Sequence, residues 1–194
     1  MRLLMVAPPG AGKGTQAKRL AAHYGIAHLA SGDLLRKEVA AGTEIGRAAE
    51  AYLERGDLVP DDLVLKMLTI EVLEASADAG FVLDGFPRTL RQAEAAYQIA
   101  SQFDDVTLQA VVHLEVGREE LRRRLLGRAR AEGRVDDDET TINHRLEVYD
   151  RETKPLLAFY AERGLIVSIN GEQSIEKVFA DTVAAVDGLL AGRR

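Results

Sequence analysis

Cysteine is absent from this chain of 194 residues, which excludes a disulfide framework, a thiolate metal site and a thiol nucleophile. Long apolar runs are missing too, and none has the ~18 residues a membrane span needs. The amino end lacks the basic head, apolar stretch and cleavage site of a secretory signal, so a cytoplasmic protein away from membranes is expected. There is no basic excess either. The net charge of −6 argues against a general nucleic-acid binder, which carries a basic face. No internal repeat or low-complexity tract divides the sequence, and its length fits one ordinary domain with room for a small insertion.

What is present suits a packed core under a charged surface: 46% of residues are hydrophobic and 29% are charged. The arginines are unevenly spread. Seven of the 19 fall between Arg118 and Arg134, so a local anion site is compatible with an acidic whole. Short apolar runs ending at turn residues predict buried strands at 3–7, 81–85, 108–116 and 165–170, with a shorter extended piece at 27–29. Helical spacing predicts helices at 14–24, 33–40, 44–55, 61–74, 89–102, 119–126 and 175–190, and a long one from about 139. Ser31 is expected to cap the helix that follows it. Strands apolar on both faces, alternating with helices, predict an α/β fold with a parallel sheet covered on both sides. Ligands of such folds collect beyond the carboxyl ends of the strands, where Pro8 and Asp84 should lie. Residues 31–59 and the polar stretch 127–138 stand outside this rhythm and are expected to project over the sheet edge.

Between the first strand and first helix runs "PPGAGKGT". A glycine loop there turns backbone N–H groups toward an anion, and the helix terminus adds its dipole. Gly10, Gly12 and Gly14 allow close approach, while Lys13 brings a mobile ammonium for β- and γ-phosphates. The pattern departs from G-x-x-x-x-G-K-[ST] in two places. Ala7 replaces the first glycine, and Gly14 separates Lys13 from Thr15. Alanine costs little at a strand end, so a local adjustment is expected, with binding retained.

"PGAGKGTQ" resembles the nucleoside monophosphate kinase form of the P-loop, and most of all that of the adenylate kinases. The resemblance continues in order to about residue 180. It implies a parallel five-stranded sheet flanked by helices, with a core of 1–29, 60–126 and 139–194, a small helical monophosphate-binding insertion at 30–59, and a short lid at 127–138. It implies ATP held by Gly10, Ala11, Gly12, Lys13, Gly14, Thr15, Arg124, Arg128 and Gln173, with Arg124 lying on the adenine. Asp84, at the end of "FVLD", would hold Mg²⁺ through water.

Three segments resemble the AMP side of the family. "ASGDLLR" supplies Ser31 and Arg36, and "RGDLVPDDLV" supplies Asp57, Leu58 and Val59 as mainly backbone and apolar wall. "LDGFPRTLRQ" supplies Gly85, Phe86, Pro87, Arg88 and Gln92. Arg88 and Gln92 are four apart and share a face if the helix begins near Pro87. Arg88 can grip phosphate as a planar fork, and Gln92 offers a donor and an acceptor to a base edge. In the family this glutamine reads the adenine of AMP, whereas relatives acting on pyrimidine monophosphates tend to carry asparagine nearby.

"RRRLLGRARAEGRVDDDETTINHRLEVY" resembles the lid region. Arg122, Arg123 and Arg130 read as a solvated basic face paired with Asp136, Asp137, Asp138 and Glu139. Arg128, Arg134 and Arg145 are implied at the transferring phosphoryl group, and Arg134 and Arg145 also at AMP. Phosphoryl transfer leaves a protein little covalent work, so Lys13, Arg88, Arg128, Arg134 and Arg145 form the catalytic set, as positioned cations. Lid closure that keeps water out is a known property of the family, not a deduction from these residues. The short lid and missing cysteines predict no structural zinc. The expected activity is MgATP + AMP ⇌ MgADP + ADP, by a monomer whose partners are nucleotides. Two alternatives stay open. One is the same chemistry on CMP or UMP, against which Gln92 speaks. The other is a GTP-hydrolysing switch, which would carry an N-K-x-D motif not found here.

Overall fold

The computed structural model describes residues 1–103, 106–132 and 138–192. Five parallel strands form one sheet in the order β2-β3-β1-β4-β5. They are β1 (Arg2–Val6), β2 (Ala27–Ala30), β3 (Phe81–Asp84), β4 (Ala110–Glu115) and β5 (Ile166–Asn170). Leu3, Leu4, Met5 and Val6 of β1 are each no more than 2% exposed, because this central strand is covered on both faces. Burying one such side chain stabilises the fold by about 1.5–3 kcal/mol. This explains the unbroken apolar run that the sequence displays there.

The helices α1 (Lys13–Tyr24) and α9 (Ile175–Ala191) cover one face, with α6 (Arg118–Glu132) and α7 (Glu139–Val148) beside them. Leu3, Met5, Leu20, Leu125, Ile142 and Val186 make that core. On the other face Leu4, Val6, Phe81, Val111 and Tyr160 pack under α4 (Asp61–Ala77), α5 (Leu90–Ala100) and α8 (Leu156–Ala161). A third cluster, Leu35, Ala49, Val59, Val64, Leu68 and Phe86, ties α2 (Ser31–Ala40) and α3 (Glu44–Arg55) to α4. These two helices lie outside the strand–helix alternation and have a small core of their own.

The register aligns the carboxyl ends of the strands. Met5 pairs with Asp84 on β3, and Val6 with His113 on β4. The loop after β1 and the carboxylate ending β3 therefore emerge side by side.

Three expected elements differ from those observed. Ser31 is the first residue of α2 and makes no cap hydrogen bond, since its hydroxyl is drawn across to the β3 loop. The helix expected to stop at residue 126 runs to Glu132. A single glycine, Gly127, costs a helix about 1 kcal/mol, and the good helix formers on either side outweigh that. The long helix from residue 139 is interrupted: α7 widens into a π-helical turn over Tyr149–Thr153 before α8. Of the stretch expected as a lid, residues 133–137, with Arg134, Asp136 and Asp137, lie outside the described residues.

Candidate active site

The loop after β1 is held by a backbone bond from the Ala11 N–H to the Pro8 carbonyl at 3.2 Å. Gly12, at φ 92°, takes the left-handed conformation that lets the chain turn into α1. No side chain caps α1, so its first amides point to the space in front of the loop. The Lys13 ammonium donates to the carbonyl of Ala7 at 3.1 Å, which holds it over the same space. Burial pushes the Lys13 pKa down to about 8; Asp84 opposes the shift, and Arg88, Arg145 and Arg128 add to it. Four cations thus share one small region.

Asp84 closes the other side. A Cβ on Gly14 would stand 3.4 Å from its Oδ2, and Nε2 of His28 lies 3.8 Å from the same oxygen. Burial works against the charge of Asp84, but His28, Lys13 and Arg88 overcome it and hold the pKa below the usual aspartate value.

The segment after β3 turns sharply around Gly85. The Gly85 carbonyl accepts from the Ser31 hydroxyl at 2.7 Å and from Arg88 Nε at 2.8 Å. A Cβ on Gly85 would stand 2.8 Å from the Ser31 oxygen and 3.1 Å from an Arg88 nitrogen, so clearance is needed there. The Thr153 hydroxyl fixes the Arg88 carbonyl at 2.8 Å. Burial lowers the Arg88 pKa; Arg145 and Arg36 deepen that shift, and Asp84 resists it.

Thr89, not Pro87, caps α5, accepting from the Gln92 N–H at 3.1 Å. Arg88 is therefore outside the helix, and the expected shared helical face is not what joins it to Gln92. The link is a hydrogen bond from the Arg88 N–H to Gln92 Oε1 at 2.7 Å. Two cavities meet at this point. One is lined by Ala7, Pro9, Lys13, Gly56, Leu58, Pro87 and Arg88, the other by Ser31, Arg36, Asp57, Leu58, Val59, Arg88 and Gln92; Gly85 and Arg145 border both.

Arg145 reaches this junction from α7, its aliphatic stem packed on Gly56, where a Cβ would come within 2.6 Å of Cγ. Further out, Arg124 pairs with Glu120 at 2.6 Å and donates to the Gly171 carbonyl at 2.9 Å. Gln173, in the same loop, donates to the Asn170 carbonyl and to Asp181, each at 3.0 Å. Arg36 is paired with Asp33.

The chain matches the family model described as adenylate kinase over residues 5–165. The chain belongs to the adenylate kinase family. Curated relatives named adenylate kinase include one from Thermobifida fusca, 47% identical over 96% of this chain and 98% of its own length. One from Stenotrophomonas maltophilia is 43% identical over 97% and 100%, and one from a Synechococcus strain 48% identical over 91% and 93%.

In this chain Pro9 and Lys13 of the P-loop, Arg88, Arg145, Gln92 and the 57–59 wall line the two joined cavities, and Asp84 precedes Gly85, which borders both. Arg128 is close enough to act on the charge of Lys13. Phe86 is 4% exposed and belongs to the third core cluster, and it lines a separate apolar cavity with Leu68, Leu83 and Pro87. Arg122 pairs with Glu139 at 2.6 Å, as its solvated reading anticipated, and Arg123 with Glu120.

Several polar groups escaped the sequence reading. Asp57 was expected to contribute mainly backbone and apolar wall. Its carboxylate instead contacts His144 Nε2 at 2.7 Å and accepts from Arg55 Nε at 2.9 Å, and these two bonds, His144 first, lower its pKa. His28, Asp61 and Thr153 also support the site, yet each sits in a stretch whose pattern reads simply as strand or helix. Their signal is spatial, not sequential.

Among the described residues, no three His, Asp or Glu side chains gather as a metal cage. A magnesium ion arriving with nucleotide phosphates needs only one or two carboxylates and waters. The buried, ionised Asp84 beside the loop fits that requirement.

Proposed function

We propose that this adenylate kinase moves the terminal phosphoryl group of MgATP to AMP, and back, giving two ADP in the forward direction. The observation that carries this reading is the meeting of the Lys13 cavity and the Gln92 cavity at Arg88 and Arg145. Two phosphate-bearing molecules entering from either side would place their phosphates end to end there. A phosphate oxygen of AMP bonds to the γ-phosphorus as the bond from that phosphorus to the β–γ bridging oxygen breaks. No strong base is required, because the attacking oxygen is already ionised.

The loop amides of residues 10–15 and Lys13 hold the ATP phosphates, while Arg124 and Gln173 stand on the adenosine side. Lys13, Arg88, Arg128, Arg134 and Arg145 take up the charge that spreads over the transferring group. One well-aimed donor of this kind is worth about 3–4 kcal/mol. Asp84 would hold Mg²⁺ through water, and the ion would neutralise charge between the β- and γ-phosphates. Ser31, Arg36, the 57–59 wall, the 85–87 turn and Gln92 form the acceptor pocket, with Arg88, Arg134 and Arg145 on its phosphate. Residues 30–59 act as the acceptor lobe and 127–138 as a lid that excludes water.

Every proposed group comes from one chain, which supports a working monomer. No helix among the described residues is long and apolar enough to cross a membrane; we place the kinase in the cytoplasm, acting on free nucleotides.

Initial rates with MgATP and a panel of AMP, CMP, UMP and GMP test the reading. AMP should be the preferred acceptor by orders of magnitude, with two ADP formed per AMP consumed. Preference for CMP or UMP would reassign the acceptor, and GTP hydrolysis without transfer to AMP would overturn the reading altogether.

A further inference from the structure

We propose that Asp61 sets the base specificity of the acceptor site by locking the orientation of the Gln92 side-chain amide. The proposal rests on the reading that Gln92 faces the acceptor base.

A glutamine amide has two ends of nearly equal size and opposite hydrogen-bonding character, so a half-turn about its last bond exchanges acceptor for donor. Gln92 is 2% exposed, and water cannot make up for a wrong orientation. Its two outer partners come from different elements. The Arg88 backbone N–H donates to Oε1 at 2.7 Å, and Nε2 donates to Oδ1 of Asp61 at 2.7 Å. A backbone N–H can only donate, and an ionised carboxylate can only accept. Both neighbours therefore demand the same orientation. A flipped amide would set donor against donor at Arg88 and acceptor against acceptor at Asp61. Arg91 lies 3.6 Å from the second Asp61 oxygen, which engages the carboxylate from the solvent side.

With its outer bonds made, the amide keeps one lone pair and one N–H, side by side, for the cavity it lines with Ser31, Arg36 and Val59. That edge complements a base carrying an exocyclic amino group beside an unprotonated ring nitrogen. Adenine has this pattern, and so does cytosine. A 6-oxopurine presents the reverse, a carbonyl beside a ring N–H, and meets like against like. The amide cannot turn to suit it without losing both outer bonds. Asp61 is thus a positioning residue for an amino-against-oxo decision, and the orientation of Gln92 does not by itself separate adenine from cytosine.

The test compares kcat/KM for AMP, IMP and CMP at saturating MgATP in the wild type and in Asp61→Asn. IMP differs from AMP only at the edge that Gln92 reads. The introduced amide can donate to a flipped Oε1, which removes one of the two constraints. The AMP-over-IMP preference should fall by about tenfold to a hundredfold, chiefly through a gain on IMP, the scale of one buried hydrogen bond made or missed. The AMP-over-CMP ratio should hold. An unchanged AMP-over-IMP ratio, with all three substrates declining together, would make Asp61 merely structural and overturn the proposal. So would a parallel fall of both ratios. Asp61→Ser, whose hydroxyl can donate or accept, carries the same comparison if the asparagine variant does not fold. A wild type that fails to use AMP would refute the acceptor reading itself, whereas a wild type that uses AMP beside an unaltered variant ratio refutes only the role of Asp61.

Discussion

Lys13 carries the tension of the site in a single side chain. An ammonium in water has an ordinary pKa of 10.5, and here burial, with Arg88, Arg145 and Arg128 pressing against Asp84, brings it to about 8. Between those two values the folded chain holds fewer protons than the unfolded one, so stability rises as pH climbs from about 8 toward 10.5. A triphosphate reverses the local balance by supplying anionic oxygens, and Lys13 must regain its proton. Binding of MgATP at pH 8.5 should therefore take up as much as about three-quarters of a proton from the buffer, and almost none at pH 6.5. Calorimetry in buffers of different ionisation enthalpy reads this directly. Proton release at pH 8.5, or no exchange, would remove the proposed contact between Lys13 and the phosphates. Residues of this sort were legible because the motifs that hold them resemble those of a known family: a lysine among glycines, an aspartate ending an apolar run, an arginine and a glutamine after "GFP". The carboxylate contacts of Asp57 and Asp61 were not, because their partners His144 and Gln92 lie far along the chain and only folding brings them into contact.

At the scale of elements, apolar runs located all five strands to within two residues at each end, since a strand buried on both faces has few sequences open to it. Boundaries set by side-chain caps were harder. Thr89 takes the start of α5 and Ser31 declines the start of α2, because each hydroxyl goes to the partner that the tertiary structure offers. Contact between α2 and α3 rests on another feature that spacing does not reveal. The two helices cross so closely at Gly46 that a Cβ there would stand 2.1 Å from the Glu38 carbonyl oxygen and 2.6 Å from the Val39 nitrogen. Both are backbone atoms and cannot swing aside. Gly46→Ala gains about 1 kcal/mol in helix propensity, but overpacking of this kind costs more, about 1–3 kcal/mol or above. The net should be a Tm lowered by a few degrees. If α2 and α3 form the acceptor lobe, KM for AMP should rise while KM for ATP stays near the wild-type value. Equal Tm in the variant would mean that the helices separate easily, and equal rises in both KM values would remove the assignment of this lobe to AMP.

Across the whole molecule, net charge and local charge point in opposite directions. The chain carries −6 overall, yet Lys13, Arg88, Arg128 and Arg145 converge where the two cavities meet. Burial first, and their mutual repulsion after it, lower the pKa values of Lys13 and Arg88. Asp84 offsets part of the repulsion at Lys13 and Arg88, and an anion spanning both cavities would offset more. A molecule joining two adenosines through five phosphates supplies that anion in one piece and avoids ordering two separate ligands. At a hundred times its Kd, with magnesium, it should stabilise the fold by about 2.7 kcal/mol, or a Tm rise of about 5–11 °C for a chain of this size. ATP or AMP alone fills one cavity and should give less at the same multiple of the pentaphosphate's Kd. Because the attraction is between charges, the affinity should weaken as salt is raised. A pentaphosphate that raises Tm no more than ATP does would mean that the two cavities do not act as one site, and the end-to-end transfer would have to be abandoned.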